Sequence, residues 1–446
     1  MISTNTYSPL AWRVGILFLA INTTALSVHP PCPLSITARI PSNDLPDASH
    51  PAVFQTIEDV HVTLLRCPGV ASLTLRIASL GCAVHPDRYS LPFDLASGET
   101  YPPLESLSLE GYSFGDSEWG RVSPPFETRL EYMYEWVYWV TSGKAKKWWN
   151  WRKLPPEQRS KTNIELWMDA MDFSKLKHLA LLNHHHPSYL ATTRFPSLLS
   201  SLRSLTVVEK NATEFILTLP QNSLEELRWI YPDAENDTIK HGTMAKIMEH
   251  VGSGLHTLEL HTPEYPADVT PTLTPESLSL LPIWAPNLRN LTLDLNRREG
   301  PENTTWPLPE LTSLASNLPD LVDLTVYFEL GSAWRRAQDP WEVTAYWSIE
   351  PPDGENELAH PLLSEEAAVE LFRALQEARN GMKPLERVLF RTGDWTRPWD
   401  GPIYLPVWLE GKQAWAECSG YDGEEKCEFG SVDYGEYKRR RVRDEL

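Results

Sequence analysis

The sequence is poor in cysteine, in positive charge and in long apolar runs. Only 5 of its 446 residues are Cys, and 40 Lys and Arg stand against 60 Asp and Glu, which gives a formal net charge of -20. This charge opposes binding to nucleic acids and to anionic membranes, because both are negatively charged and bind positively charged protein surfaces. No stretch reaches the roughly 20 apolar residues of a membrane-spanning helix. We therefore expect no nucleic-acid partner and no stable membrane insertion.

The motifs of common catalytic and metal sites are missing as well. The chain contains no G-x-S-x-G, P-loop, G-x-G-x-x-G or H-E-x-x-H sequence, and no Cys/His spacing typical of zinc. The run His184-His185-His186 is a weak metal candidate, since successive side chains of a strand or loop point apart. The sequence therefore predicts no catalytic residue, no metal and no cofactor. An enzyme built on this scaffold is an alternative that would need carboxylates or histidines gathered in one pocket.

The cysteines lie only near the two ends of the chain. Cys418 and Cys427 flank a Gly- and acid-rich segment, and this spacing predicts one disulfide. Cys67 with Cys82 is the expected second pair, while Cys32 competes for either partner. Disulfides indicate an oxidising compartment.

The N-terminal end has the pattern of a secretory signal peptide over residues 1–27. Arg13 precedes the apolar run Val14–Ile21, and small residues stand at Ala25 and Ser27, the two positions that a signal peptidase recognises. An uncleaved anchor and a buried N-terminal strand or helix are the alternatives.

The C-terminal end and four glycosylation sequons agree with this route. The chain ends in Arg443, Asp444, Glu445 and Leu446. This tail is a variant of the Lys/His-Asp-Glu-Leu signal that a retrieval receptor of the endoplasmic reticulum binds. The sequons begin at Asn211, Asn236, Asn290 and Asn303. The expected location is the lumen of the endoplasmic reticulum or the outside of the cell.

An L-x-x-L-x-L pattern recurs along the chain. Its copies begin at Val70, Leu104, Leu176, Leu202, Leu224, Leu255, Leu288, Leu321 and Leu385. In each copy the last two apolar positions alternate with polar ones, which predicts a short strand with two side chains pointing into a core. One such unit cannot bury its apolar face alone, so the units must stack.

This pattern is that of leucine-rich repeats (LRRs), and it resembles the irregular repeats of uncharacterised fungal F-box/LRR-like proteins. The segments Tyr101–Tyr112 and Leu166–Leu176 carry this resemblance most closely. It implies an α/β fold, an irregular solenoid over residues 61–400. The Asn of the usual turn is mostly missing and the repeat lengths vary. An F-box would be expected near Leu45-Pro46, but the sequence there lacks its flanking helices. Because the repeats resemble those of F-box/LRR-like proteins, an intracellular F-box-like adaptor of a ubiquitin ligase is the first alternative.

The solenoid is expected to carry an insertion and two caps. Residues 28–60 form the N-terminal cap, 401–437 a hairpin-like C-terminal cap, and 438–446 a basic tail. Residues 112–172 form a Trp-rich helical insertion, with platform candidates at Trp136, Trp139, Trp148, Trp149 and Trp151. These aromatic residues either fill the core, bind a peptide or carbohydrate, or contact a membrane surface.

The polar residues that flank the inward Leu pairs are expected to face a concave surface. Those with charged or aromatic side chains in the later repeats are binding candidates: Arg228, Glu259, His261, Asp294, Asp323, Tyr327 and Arg387. A ladder of Ser and Thr in the earlier repeats fits a plain solvated sheet. Together these features predict a non-enzymatic protein of the secretory pathway that binds a protein or glycan ligand.

We expect the full-length chain, expressed in a fungal host, to run faster on a gel after endoglycosidase H treatment. Most of the shifted protein should remain in the cells, because the last four residues return it from later compartments. Deletion of residues 443–446 should release it into the medium. If the intact chain shifts on the gel but is found mainly in the medium, residues 443–446 do not act as a retrieval signal. An unshifted band in both fractions would favour the intracellular adaptor.

Overall fold

The computed structural model describes the parts of the chain that build a sheet and its helical layer. The described residues are 32–40, 54, 56–77, 90–117, 137, 140, 161–182, 187–208, 211–230, 242–262, 272–273, 275–296, 298–299, 304–329, 363–393, 414–421 and 424–431. Residues 1–27 and 438–446, which carry the predicted signal peptide and tail, lie outside this set.

One sheet of 12 strands runs through the described residues. The strands of the chain are β1 (Ser35–Ile40), β2 (Ser72–Ile77), β3 (Ser106–Glu110), β4 (His178–Leu182), β5 (Ser204–Val208), β6 (Glu226–Ile230), β7 (Thr257–His261), β8 (Asn290–Asn296), β9 (Arg298–Glu299), β10 (Thr304–Thr305), β11 (Asp323–Glu329), β12 (Arg387–Thr392), β13 (Ala414–Tyr421) and β14 (Glu424–Ser431). The sheet follows chain order, and β9 and β10 form a separate pair. Strands β1 to β12 of the sheet are parallel, whereas β13 and β14 are antiparallel.

Helices connect the parallel strands and form one layer. They are α1 (Ile57–Arg66), α2 (Asn163–Ala170), α3 (Pro187–Ala191), α4 (Phe195–Leu198), α5 (Thr213–Thr218), α6 (Thr243–Val251), α7 (Pro275–Trp284), α8 (Leu308–Asn317) and α9 (Glu365–Ala378). Helices α5 to α9 each contact the next. In the part of the chain that the structure describes, none has the length and apolar character required to cross a bilayer.

The inward Leu pairs of the repeat are in register across the sheet. Leu73 of β2 lies beside Leu107 of β3, and Leu107 beside Leu179 of β4. All three are at most 1% exposed. The core therefore lies between the sheet and the helical layer, and each strand buries its apolar pair against its neighbours. This open, mostly parallel α/β arrangement is compatible with a solenoid.

A ladder of backbone hydrogen bonds fixes this register just before each strand begins. Lys177 N donates to Glu105 O at 2.8 Å, Arg203 N to Lys177 O at 2.9 Å, and Glu225 N to Arg203 O at 2.7 Å. The ladder continues through His256, whose backbone N donates to Glu225 O at 2.8 Å. Every unit thus stacks on the previous one at the same position of the motif, although the chain between strands varies in length.

The nine strands predicted from the repeat are present as β2–β8, β11 and β12. The sheet also contains β1, which lies in the segment assigned to the N-terminal cap and pairs in parallel with β2. Helix α9 begins after Ser364, which caps it by accepting a hydrogen bond from Ala367 N. Gly381 follows with a φ of 82°, in the left-handed region that glycine adopts readily.

The predicted Trp-rich insertion supplies one helix to the described core. Helix α2 begins after Thr162, whose backbone N–H donates to the Glu165 side chain at 2.7 Å. Its Trp167 is fully buried, and the indole N–H donates to the Tyr112 hydroxyl at 3.0 Å. Trp167 therefore fills the core. The platform candidates Trp136, Trp139, Trp148, Trp149 and Trp151 lie outside the described residues.

Two disulfides lie within the residues that the structure describes, and one of them corrects the sequence-based expectation. Cys418 and Cys427 pair across the β13–β14 hairpin, as predicted. The expected Cys67–Cys82 pair is wrong, because Cys67 is bonded to Cys32. Cys32 and Cys67 each precede one of two adjacent parallel strands, and their Cα atoms are 5.4 Å apart. Cys82, by contrast, follows the far end of β2 in sequence.

A buried arginine ties the last parallel repeat to the one before it. Arg379 follows α9 and is 2% exposed. Its Nη1 donates to the carbonyls of Ala315 and Leu318 at 3.0 Å, and its Nη2 to that of Pro319 at 2.9 Å. These carbonyls are at the C-terminal end of α8, where a helix leaves its last C=O groups without intrahelical partners. The guanidinium both satisfies them and complements the helix dipole.

We expect Arg379→Ala to lower the free energy of unfolding by about 3 kcal/mol, because it removes the guanidinium from the buried carbonyl of Ala315 and its hydrogen bonds to the carbonyls of Leu318 and Pro319. Arg379→Lys should restore only part of this, since an ammonium lacks the planar fork. Urea unfolding followed by circular dichroism measures the effect, and the exposed Arg373→Ala on α9 is the matched control. Equal midpoints for Arg379→Ala and Arg373→Ala would contradict the proposed role.

Candidate functional site

One face of the sheet carries the strand positions that alternate with the inward apolar residues. In β3 and β5 the inward residues are buried, and the alternating residues are partly exposed. We call this surface the open face, because the helical layer packs on the other side. All seven residues predicted to line a concave surface lie on strands β6, β7, β8, β11 and β12 of this face. They form three adjacent groups.

The first group links strands β5, β6 and β7 through Glu226 and Arg228. Arg228 Nε lies 2.6 Å from Glu226 Oε1, and Arg228 Nη1 lies 3.9 Å from Glu259 Oε2. The Ser204 hydroxyl donates to Glu226 Oε2 at 2.7 Å. Partial burial raises the pKa of Glu226, but the hydrogen bonds from Ser204 and Arg228 outweigh it and hold this pKa below its ordinary value. Glu226 therefore stays ionised and fixes Arg228 on the surface.

The second group is a buried dyad of His261 and Asp294. His261 Nδ1 lies 2.6 Å from Asp294 Oδ1, and the backbone N–H of Thr262 donates to Asp294 Oδ2 at 2.7 Å. The sequence pattern predicts both side chains at the surface, yet they are 4% and 5% exposed. The carboxylate thus holds the plane of the imidazole ring in place.

Tyr327 and Arg391 continue this group across β11 and β12. The rings of His261 and Tyr327 stack at a centroid separation of 3.8 Å and an angle of 18°. The Arg391 guanidinium lies 5.7 Å from the centre of the Tyr327 ring, within range of a cation–π contact. Arg391 Nε is a buried donor for which the structure shows no hydrogen-bond partner. The dyad therefore orders Tyr327, and Tyr327 in turn positions Arg391.

The third group joins Asp323, Arg387 and Glu417 at the C-terminal side. Arg387 Nε and Nη2 contact the two Glu417 carboxylate oxygens at 2.8 and 3.2 Å. The hydrogen bond from Arg387 lowers the pKa of Glu417. Asp323 lies nearby without a comparable bond, and burial raises its pKa despite the attraction of Arg387. The bidentate pair is the strong interaction in this group.

Two features of the open face lie beyond the candidates chosen from sequence. Leu182, Val208 and Ile230 lie side by side on β4, β5 and β6 and form a partly exposed apolar stripe. Trp415 lies beside Arg391 on β13 and is 41% exposed. The pattern Ala414-Trp-Ala-Glu-Cys418 already alternates as a strand would, but it was assigned to the C-terminal cap and not to the binding surface.

The described sequons differ in their surroundings. Asn211 is exposed, with a φ of 62°. Asn290 is on the open face, and its Nδ2 donates to the Thr257 hydroxyl at 3.0 Å. The same nitrogen would carry a glycan, so this hydrogen bond opposes modification there. Asn236, Asn303 and the tail residues Arg443, Asp444, Glu445 and Leu446 lie outside the described residues.

No protein-family model matches the chain, and no curated protein matches it.

Within the described ranges, no group of three or more His, Cys, Asp or Glu side chains is arranged to hold a metal ion. The candidate His184-His185-His186 run lies outside those ranges.

Asp323→Asn should stabilise the fold at neutral pH, by less than about 1 kcal/mol given the partial exposure of this group. The raised pKa of Asp323 means that the folded state favours its protonated form. Stability is therefore lost as the pH rises through the window above the ordinary value of 3.8, and the Asn variant avoids that loss. The advantage should vanish below this window, as urea unfolding at pH 3 and pH 7 would reveal.

Asp172→Asn is the control of opposite sign. Hydrogen bonds from the backbone and side chain of Ser174 lower the pKa of Asp172, so its charge contributes stability above the ordinary pKa of 3.8. This variant should be less stable than the wild type at pH 7. Destabilisation by Asp323→Asn at pH 7 would contradict the assignment of burial as the dominant effect.

Proposed function

We propose that the chain is a non-enzymatic leucine-rich-repeat protein of the secretory pathway that binds a protein or glycan partner on its open face. The observation that carries this proposal is the arrangement of the three groups around Arg228, His261 and Arg387 on neighbouring strands. Their side chains hold one another in place across the sheet, which reduces the conformational entropy lost when a ligand binds.

The size and composition of the open face support a binding role. At about 4.8 Å per strand, 12 strands span roughly 50 Å, which is wide enough for a macromolecular partner. Arg, Tyr and Trp are the residue types most enriched at the energetic centres of protein interfaces. Arg228, Tyr327 and Trp415 stand on this face, and Arg228 shares β6 with Ile230 of the apolar stripe. Solenoids commonly use such extended faces for binding.

The secretory route is supported by independent features of the chain. The Cys32–Cys67 and Cys418–Cys427 disulfides fit an oxidising compartment, as in secreted or lumenal proteins. The exposed sequon at Asn211 and the C-terminal tail agree with it. We further propose that the tail keeps part of the protein in the endoplasmic reticulum. The intracellular F-box-like adaptor and the enzyme on a solenoid scaffold are the alternatives that the experiment below must separate.

A binding experiment with the full-length glycoprotein, purified from the expressing cells, tests this function. The chain is immobilised and probed with a glycan array and, after chemical cross-linking, with the proteins of the secretory pathway. We expect a ligand whose dissociation constant rises about tenfold or more in the Arg228→Ala/Tyr327→Ala double variant, since centrally placed Arg and Tyr contribute most binding energy. Lys246→Ala, on the exposed side of α6, is the control and should bind as the wild type does.

Other outcomes discriminate between the alternatives. Binding that survives the double variant but is lost on deletion of residues 118–160 would move the site to the Trp-rich insertion. A cytosolic chain without glycans that co-purifies with the ubiquitin-ligase subunit that binds F-boxes would replace the proposal with the F-box-like adaptor. Turnover of an array glycan would favour the enzyme.

A further inference from the structure

The open face ends in a row of aromatic and cationic side chains at the C-terminal side of the sheet. Tyr327 of β11 lies beside Arg391 of β12, and Arg391 beside Trp415 of β13. Directly opposite Trp415 on β14 stands Gly430. We call these four residues the Trp415 row. Since cross-strand neighbours have Cβ atoms about 5 Å apart, the Arg391 and Trp415 side chains can contact one ligand together.

Gly430 makes room for the indole of Trp415. A Cβ at position 430 would stand 2.5 Å from the indole atoms Cε2 and Nε1, a separation that no side chain tolerates. The indole therefore lies against the glycine backbone, in the space that a larger residue would fill. It remains 41% exposed, and of the tryptophans that the structure describes it is the exposed one. An aromatic side chain that is supported from below and open to solvent is a stacking platform.

The charges around the row favour an uncharged ligand. Glu417 is engaged by Arg387 in a bidentate pair, and Asp294 is engaged by His261. The net charge of -20 repels anions at long range. The guanidinium of Arg391, held over Tyr327, contains the buried Nε donor that lacks a partner in the structure. A neutral ligand with hydroxyl groups would supply acceptors to Arg391 without opposing this field.

We propose that the Trp415 row is a carbohydrate-binding site that takes a neutral sugar ring. The C–H face of a pyranose packs on the indole of Trp415, as apolar groups pack on aromatic faces. The hydroxyls at the edge of the ring accept hydrogen bonds from Arg391, and Tyr327 supports the guanidinium from below. This inference rests on the proposed function and narrows it, because it names the glycan as the ligand and the C-terminal side of the open face as its site.

Titration calorimetry with defined neutral oligosaccharides tests the inference. The full-length chain, purified from the cells and treated with endoglycosidase H to remove its own glycans, is titrated with chitopentaose, laminaripentaose and α-mannopentaose. We expect at least one to bind with a dissociation constant below about 1 mM. Trp415→Ala should weaken this binding about tenfold or more, because it removes the stacking surface.

Two further variants separate stacking from folding. Gly430→Val keeps the tryptophan but displaces its indole from the place against the backbone, so binding should weaken as in Trp415→Ala, and circular dichroism with urea unfolding checks that the variant is folded. Arg391→Lys keeps the charge but removes the planar fork of donors, and it should also weaken binding. Phe429→Ala, next to Gly430 in sequence but on the other face of the hairpin, should bind as the wild type does.

The outcomes distinguish this inference from the proposed function. No binding of any of the three sugars at about 5 mM would overturn the carbohydrate site, given that useful lectin-like contacts exceed that affinity. Binding that is equal in wild type, Trp415→Ala and Gly430→Val would also overturn it, because the sugar would then lie elsewhere. A protein partner that depends on Arg228 and Tyr327, with no sugar bound, would leave the proposed function standing alone.

Discussion

The structure depends on one constraint, the common register of the inward apolar pairs. Each strand is too short to bury Leu73 and Leu75, or their counterparts, without a neighbour on either side. The backbone ladder from Glu105 through Lys177 and Arg203 aligns successive units before their strands begin. As a result, the segments between strands can differ in length without disturbing the sheet. This alignment also sets the distances between side chains on the open face, because equivalent positions of successive strands lie side by side in rows.

Strands and rows were predictable because their signals are local. A pattern of six residues fixes both the strand and the side chains that face inward, so the open-face candidates follow directly. Strand β1 does not follow from the motif, because Pro33 stands at the position before Ile36 where the other units have Leu or Val. Ser364 marks the start of α9 in the sequence and Gly381 marks its end, but nothing in the sequence indicates the role of Arg379. Its acceptors belong to α8, which is distant in sequence.

The remaining surprises share this long-range origin. The sequence leaves Cys32 and Cys82 as competing partners of Cys67, and the adjacency of two parallel strands selects Cys32. His261 and Asp294 look like surface residues in their own repeats. They become a buried dyad because two successive repeats place them side by side. Likewise, the indole of Trp415 has room on the open face because Gly430 on the next strand has no side chain. In each case one residue acquires its role from a partner that its own motif does not specify.

The change of strand direction at β13 has a consequence for how copies of the protein meet. A parallel sheet built from interchangeable units has an edge that another identical unit could extend, and end-to-end growth into fibres is the hazard of such edges. Here the last described strand, β14, runs antiparallel and is clamped to β13 by Cys418–Cys427. Its exposed Lys426 and Glu428 put charges along the strand. The hairpin therefore ends the parallel run of strands, and the charges on its outer strand oppose edge-to-edge pairing with another copy.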